Sequence, residues 1–347
     1  MGADGVASAL SAAFEAAEER SVAAADARLV IFSDHHKGTR DGADDFQGCE
    51  PAYCAALAWY LAEGYALYVL GDSEELWEND PEPVLAEKTG YPEVLRLEAQ
   101  FHRSGRYERF FGNHDDLWAH KGAVAEHLHI FFPGLKVREA LRLRLARPDG
   151  PDGVVLLAHG HQGTADSDRW GWLSRLVVRY VWRPIQRKSG YTGVTPSKDH
   201  GLRTKHDRAM AAWAGGHADK PILIAGHTHR PVFWDSTPDP GPDRGTVAES
   251  DDADHRADEE FARAQERNPR KAFTLPTPCY FNTGCCSFAD GDVTGLEIAD
   301  GEMRLVRWPS DDGTPRRKVL AHRSVAEILD AVAGRDPEAV TGHEVEL

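Results

Sequence analysis

Short, unbroken apolar runs alternate along the chain with longer stretches of helical periodicity. Five runs stand out: Ala27 to Ser33, Ala66 to Leu70, Arg109 to Phe111, Val154 to Ala158 and Ile222 to Ala225. Each has the length and continuity of a strand buried on both faces. Residues Pro51 to Glu63 have helical character and stop at Gly64, a residue suited to a helix C-cap. Leu135 to Ala146 alternates apolar and basic residues in part, as on an exposed strand. The stretch from Cys279 to Trp308 reads as a closing antiparallel meander, with turns at Asp290-Gly291 and Asp300-Gly301. Residues 5 to 25, rich in Ala and Glu, read as an exposed or loosely docked helix. Strands separated by helical stretches predict an α/β core.

Two segments break the pattern. Residues 236–271 are rich in Asp, Glu, Pro, Gly and Ala and predict a mobile acidic insertion. Residues 169–198 contain no acidic side chain at all, although the chain has 56 Asp and Glu against 40 Lys and Arg. The net charge of −16 argues against a duplex nucleic acid partner, because such binding relies on neutralising phosphates. No stretch approaches the ~20 apolar residues of a membrane helix. The first twenty residues have no basic region before an apolar run, which argues against a secretory signal. Cys49, Cys54, Cys279, Cys285 and Cys286 form no repeated pair pattern, so a reduced, cytoplasmic protein is expected.

The chemistry lies where the apolar runs end. They lead into Ser33-Asp34-His35-His36, Gly71-Asp72-Ser73-Glu74-Glu75, Gly112-Asn113-His114-Asp115, His159-Gly160-His161 and Gly226-His227-Thr228-His229. Any one cluster is common. Together they place carboxylate, imidazole and amide groups at equivalent ends of successive strands, where open sheets build their sites. The donors are oxygen and nitrogen with no thiolate, which suits Mn, Fe, Zn or a mixed pair. The set is too large for one ion with open positions and suits two. Two ions roughly 3.5 to 4 Å apart form the clamp used in phosphoryl hydrolysis.

The series D-x-H, GD-x-x-D/E, GNH-D/E, H and GH-x-H resembles the calcineurin-like metallophosphoesterase superfamily across residues 28–308, the acidic insertion excluded. The resemblance implies a four-layer αββα fold, two packed mixed sheets flanked by helices, around two divalent metal ions, Mn2+ foremost with Fe or Zn as alternatives. Carried over by motif, Asp34, His36 and His229 would hold one ion and Asn113, His159 and His227 the other, with Asp72 bridging. His114, oriented by Asp115, would stabilise developing charge or protonate the leaving oxygen, and a hydroxide bridging the metals would attack phosphorus. Gly71, Gly112 and Gly226 would let the backbone turn beneath the ions. Glu75 and Asn282 are expected to support the ligands from behind, His161 to contact phosphate, and His35 to point away.

Within residues 169–188, Leu173, Leu176, Val177, Tyr180 and Val181 share one helical face, while Arg175, Arg179, Arg183 and Arg187 step by four along another. They read as a solvated basic face, as arginines of a cap (162–215) that binds phosphate oxygens, or as a peripheral contact with an anionic membrane. A helical insertion here, and the match of Gly71 to Trp77 to GD-x-x-D-LW, are similar to the UDP-2,3-diacylglucosamine pyrophosphatases. His114 and His161 depart from that branch, which has Arg and typically Asp there. The expected activity is hydrolysis of a small phosphate monoester, diester or pyrophosphate. The alternatives are a nucleotide-lipid pyrophosphatase at the membrane face and a non-catalytic scaffold. The flanks are expected as an N-terminal helical extension (1–27) and a C-terminal tail with a short helix (309–347).

Overall fold

The computed structural model describes residues 3–148, 150–163, 200–234, 277–310 and 315–334. The expectations for Arg175, Arg179, Arg183 and the 236–271 insertion lie outside these residues. Short turns aside, the chain opens with α1 (Ala3–Ala16), β1 (Glu18–Ala23), β2 (Arg28–Phe32), α2 (Glu50–Ala62) and β3 (Ala66–Leu70). It continues through α3 (Pro92–Arg103), β4 (Tyr107–Phe110), β5 (Val137–Arg138), β6 (Ala140–Ala146) and β7 (Gly153–Ala158). Helix α4 (His200–Gly216), β8 (Ile222–Ala225), β9 (Pro231–Val232) and β10 (Tyr280–Thr283) follow. The last elements are β11 (Val293–Ala299), β12 (Glu302–Trp308), β13 (Lys318–Ser324) and α5 (Val325–Ala333).

The strands form two mixed sheets, ordered β13-β12-β11-β2-β3-β4-β5 and β1-β6-β7-β8-β10-β9. In the first, β2, β3, β4 and β5 run parallel. In the second, β7, β8 and β10 run parallel. Their apolar runs are continuous because both faces are covered. In β2, Leu29 and Ile31 meet the other sheet, while Val30 and Phe32 face α2 and α3. In β8, Ile222 and Ile224 point between the sheets and Leu223 and Ala225 point toward α1 and α4. The layers are therefore helix, sheet, sheet, helix, as the αββα expectation required. Each such buried Leu, Ile or Phe contributes about 1.5–3 kcal/mol by leaving water. Helix α5 adds Ile328, Leu329 and Val332 to the core between the sheets.

Three expectations change. Residues 5–25 are not one loosely docked helix: α1 buries Leu10 and Phe14 against α4, and β1 pairs in parallel with β6. Strand β1 is polar, and Glu19 is held by Arg144 of β6, so ion pairs rather than apolar burial mark this edge. The expected meander is divided. Strand β10 joins the second sheet, whereas β11 and β12 pair in the first around the Asp300-Gly301 turn, whose φ values are 57° and 75°. The tail beyond residue 309 supplies β13 and α5 to the body of the fold. Among the described residues no helix is long and apolar enough to cross a membrane.

Candidate metal centre

The ends of β2, β3, β4, β7 and β8 bring the predicted clusters together. Donor atoms of Asp34, His36 and His229 lie within 4.8 Å of one another, as do those of Asp72, His159 and His227 and those of His36, Asp72 and His114. Asp72 and His36 each belong to two of these groups.

The backbone is strained where it delivers the donors. Eight non-glycine residues among those described have positive φ. Five are Asp34 (55°), His36 (52°), Asp72 (49°), His227 (66°) and His229 (55°). A left-handed conformation costs an ordinary side chain roughly 1–3 kcal/mol, and such strain collects at functional sites. Glycine permits the close passage: Gly71 has φ 82°, and a Cβ there would come within 2.6 Å of Gly112 N. At Gly226 a Cβ would collide with Ser33 and Asp34.

Hydrogen bonds fix which atoms face inward. His159 Nδ1 donates to Leu70 O at 2.6 Å, leaving the lone pair on Nε2 pointed at Asp72 Oδ2, 3.2 Å away. His36 Nδ1 donates to Glu75 Oε2 at 3.0 Å, and its Nε2 lies 3.2 Å from His229 Nε2. His229 Nε2 in turn lies 3.3 Å from Asp34 Oδ1. Asp34 Oδ1, Asn113 Oδ1 and His159 Nε2 are buried without a hydrogen-bond partner. Lone pairs this close repel unless positive charge sits between them. Burial alone would lower the pKa of His36; the Glu75 hydrogen bond and the charges of Asp72, Glu75 and Asp34 outweigh it, to about 10. Burial likewise works against His159, which Asp72 and Asp34 push up to about 9. Divalent cations at the same positions would replace those protons. The buried oxygen and imidazole donors fit such ions, and thiolates take no part.

The carboxylate expected to orient His114 has a different role. Asp115 does not orient the His114 ring. It accepts from the backbone N–H groups of Gly112, Asp72 and Ser73 at 2.6, 3.2 and 2.8 Å, tying the β3 and β4 loops together. Glu75 holds His114 instead, accepting from Nδ1 at 2.7 Å, and also holds His36. The His114 ring is stacked on Trp77 with 4.1 Å between centroids. Its backbone N–H donates to Asp72 Oδ1 at 2.8 Å. At 24 % exposure the His114 side chain is more open than His36 at 9 % or His159 at 0 %.

His161 is buried 5.4 Å from His159, ring to ring, and gives no donor to the three groups. His35 is buried against Tyr53 and Phe46, with neither ring nitrogen hydrogen-bonded, so it fills space away from the donors. Asn282 supports the β8 loop, donating to Gly226 O at 2.7 Å. Sequence reasoning missed His206 and Asp207 of α4. His206 Nε2 donates to Gly160 O at 2.6 Å, and Asp207 accepts from Thr228 Oγ1 at 2.9 Å. The signal was their place on the helical face of Met210, Trp213 and Ala214, all buried.

No family model matches the chain, and no curated protein does. Among solved structures, a single mutant of Vps29 from Entamoeba histolytica is similar at 14% identity, covering 84% of this chain and 98% of its own, with a TM-score of 0.31. The calcineurin-like phosphoesterase YfkN from Bacillus subtilis is similar at 12% identity, covering 89% of this chain and 95% of its own, with a TM-score of 0.32. Both likenesses are distant, and neither bears on what the site does.

Proposed function

We propose that the chain is a metallophosphoesterase of the calcineurin-like type that hydrolyses a phosphate monoester, diester or pyrophosphate with two divalent cations, Mn2+ foremost. One observation carries the reading: five strained residues at strand ends turn their donor atoms toward a common centre. Asp34, His36 and His229 would hold one cation, Asn113, His159 and His227 the other, with Asp72 between them. When bound, such a pair supplies Lewis acidity to the phosphoryl oxygens and lowers the pKa of a coordinated water. The chain's own residues do the rest. Ser33 and the His227 backbone N–H, the latter at 2.8 Å, fix the Asp34 carboxylate. Glu75 and Trp77 fix His114, whose Nε2 would give a proton to the leaving oxygen. Asp115 keeps the two loops in register, so the donors need little rearrangement.

The acid-free stretch 169–198 favours a second reading, a nucleotide-lipid pyrophosphatase at the membrane face, with Arg175, Arg179 and Arg183 on phosphate oxygens or anionic lipid. The deciding experiment is a substrate screen of the Mn-loaded full chain against monoester, diester, nucleotide-diphosphate and lipid-linked diphosphate substrates. Chelation should abolish turnover and added Mn2+ should restore it. Absence of hydrolysis on all four classes, with metal bound, would contradict both readings.

A further inference from the structure

Helix α4 is docked on two of the donor loops. His206 holds Gly160 O, and the His206 ring lies 5.3 Å from that of His227. Asp207, fully buried one residue on, also accepts from Tyr280 OH at 2.8 Å and from Arg230 Nη2 at 2.6 Å. One turn earlier on this face stands Arg203, and its circumstances are unlike those of Arg230 and Arg109. Arg230 is neutralised by Asp207, and Arg109, deeper in the fold, by Glu74. Arg203 is half-buried, with Nε shut away from solvent and without a hydrogen-bond partner, and it has no ion pair among the described residues. Asp207 is already committed to Arg230, Thr228 and Tyr280. Asp34 Oδ2 is taken by Ser33 and the His227 N–H, and no ion pair joins Asp34 to Arg203 among the described residues.

An Arg203 Nε–H withdrawn from water and left unpaired is costly, and the cost falls when an acceptor arrives. Burial lowers the Arg203 pKa, and its charge interacts with Asp34 and bears on His229. The segment carrying Cys285 and Cys286 closes the same side, where Cys286 N donates to Asp34 O at 3.2 Å.

We propose that Arg203 is an anion subsite on α4, on the side that packs against the His227-Thr228 loop, receiving the non-bridging oxygens of the substrate's phosphoryl group. The planar fork of arginine matches two such oxygens, which a point charge does not. The subsite rests on the phosphoesterase reading and adds to it the group that holds phosphate in place from the α4 side.

The test uses the Mn-loaded full chain and inorganic phosphate as probe. Phosphate affinity is measured by calorimetry and by inhibition of a chromogenic monoester, alongside metal content. Arg203→Met should weaken phosphate binding and raise KM by about 10- to 100-fold, with metal content unchanged. Arg203→Lys, which keeps charge and length but loses the fork, should fall between Met and wild type. It also decides the matter if the Met variant does not fold. Phosphate affinity and KM within twofold of wild type in a metal-replete variant would overturn the subsite while leaving the phosphoesterase reading intact. A wild-type protein that neither binds phosphate nor hydrolyses any ester would overturn both.

Discussion

Two buried clusters of charged side chains lie side by side at the ends of β2 and β3, and they are built on opposite principles. In one, Lys37 and Arg109 face Glu74 and Glu98, all hidden from solvent. Lys37 Nζ lies 3.3 Å from Glu74 and 3.4 Å from Glu98, and Arg109 pairs with Glu74. Trp118 and Tyr107 donate to the two glutamates at 2.9 Å. Charges cancel within the group, and none of the four has positive φ. In the other, Asp34, Asp72 and Glu75 meet five histidines with lone pairs turned toward one another, and five of these eight residues stand on left-handed backbone. Burial of charge does not distinguish the two. Left-handed backbone and crowded lone pairs with no Lys or Arg among them do: Glu74 Oε1 and Arg109 Nε and Nη1 also lack hydrogen-bond partners, but there the charges offset one another.

If that contrast is right, substitutions in the two clusters should have different consequences. The largest loss of turnover is expected for Asp72→Asn, which removes a carboxylate shared by two donor groups. Metal content should fall and hydrolysis disappear, while the metal-free protein should melt no lower than wild type without metal. A large drop in that melting temperature would mean the donor cluster is structural. His114→Ala should cut kcat by roughly 10² to 10⁴-fold while metal content, read by mass spectrometry, hardly changes. Glu75→Gln weakens the grip on both His36 and His114. Metal affinity is expected to fall by about 10- to 100-fold, as for other residues that orient ligands. The smallest effect on turnover belongs to Lys37→Met, although it is the largest on stability. Leaving Glu74 and Glu98 short of a cation should cost about 3–5 kcal/mol in chemical denaturation. Turnover per folded, metal-bound molecule should stay within about tenfold. Wild-type stability in that variant would show that the charge balance of the quartet has no structural weight.

Much of this was readable in the sequence, for a physical reason. Asp34, Asp72, His159 and His227 each follow an unbroken apolar run and so announce both a buried strand and its polar end, whereas the strand before Asn113 carries Glu108 and Arg109. The role of Asp115 was not readable. It adjoins His114 in sequence, but the β4 loop turns its carboxylate onto backbone N–H groups, and Glu75 from another loop takes the imidazole. Spacing along a chain does not say which loop lies across. The edge strands were hidden for a different cause. No residue of Glu18–Ala23 or Lys318–Ser324 is fully buried, so their pairing left little apolar signature. His206 and Asp207 sit within a helix whose pattern records packing and says nothing of the loops it touches.

The central claim is that the strained cluster holds two cations with Asp72 between them. Anomalous diffraction from crystals of the Mn-loaded protein tests it most directly. Two peaks roughly 3.5 to 4 Å apart are expected, both contacting Asp72, one beside Asp34, His36 and His229 and the other beside Asn113, His159 and His227. A single peak at full occupancy, or two peaks with Asp72 touching neither, would contradict the account.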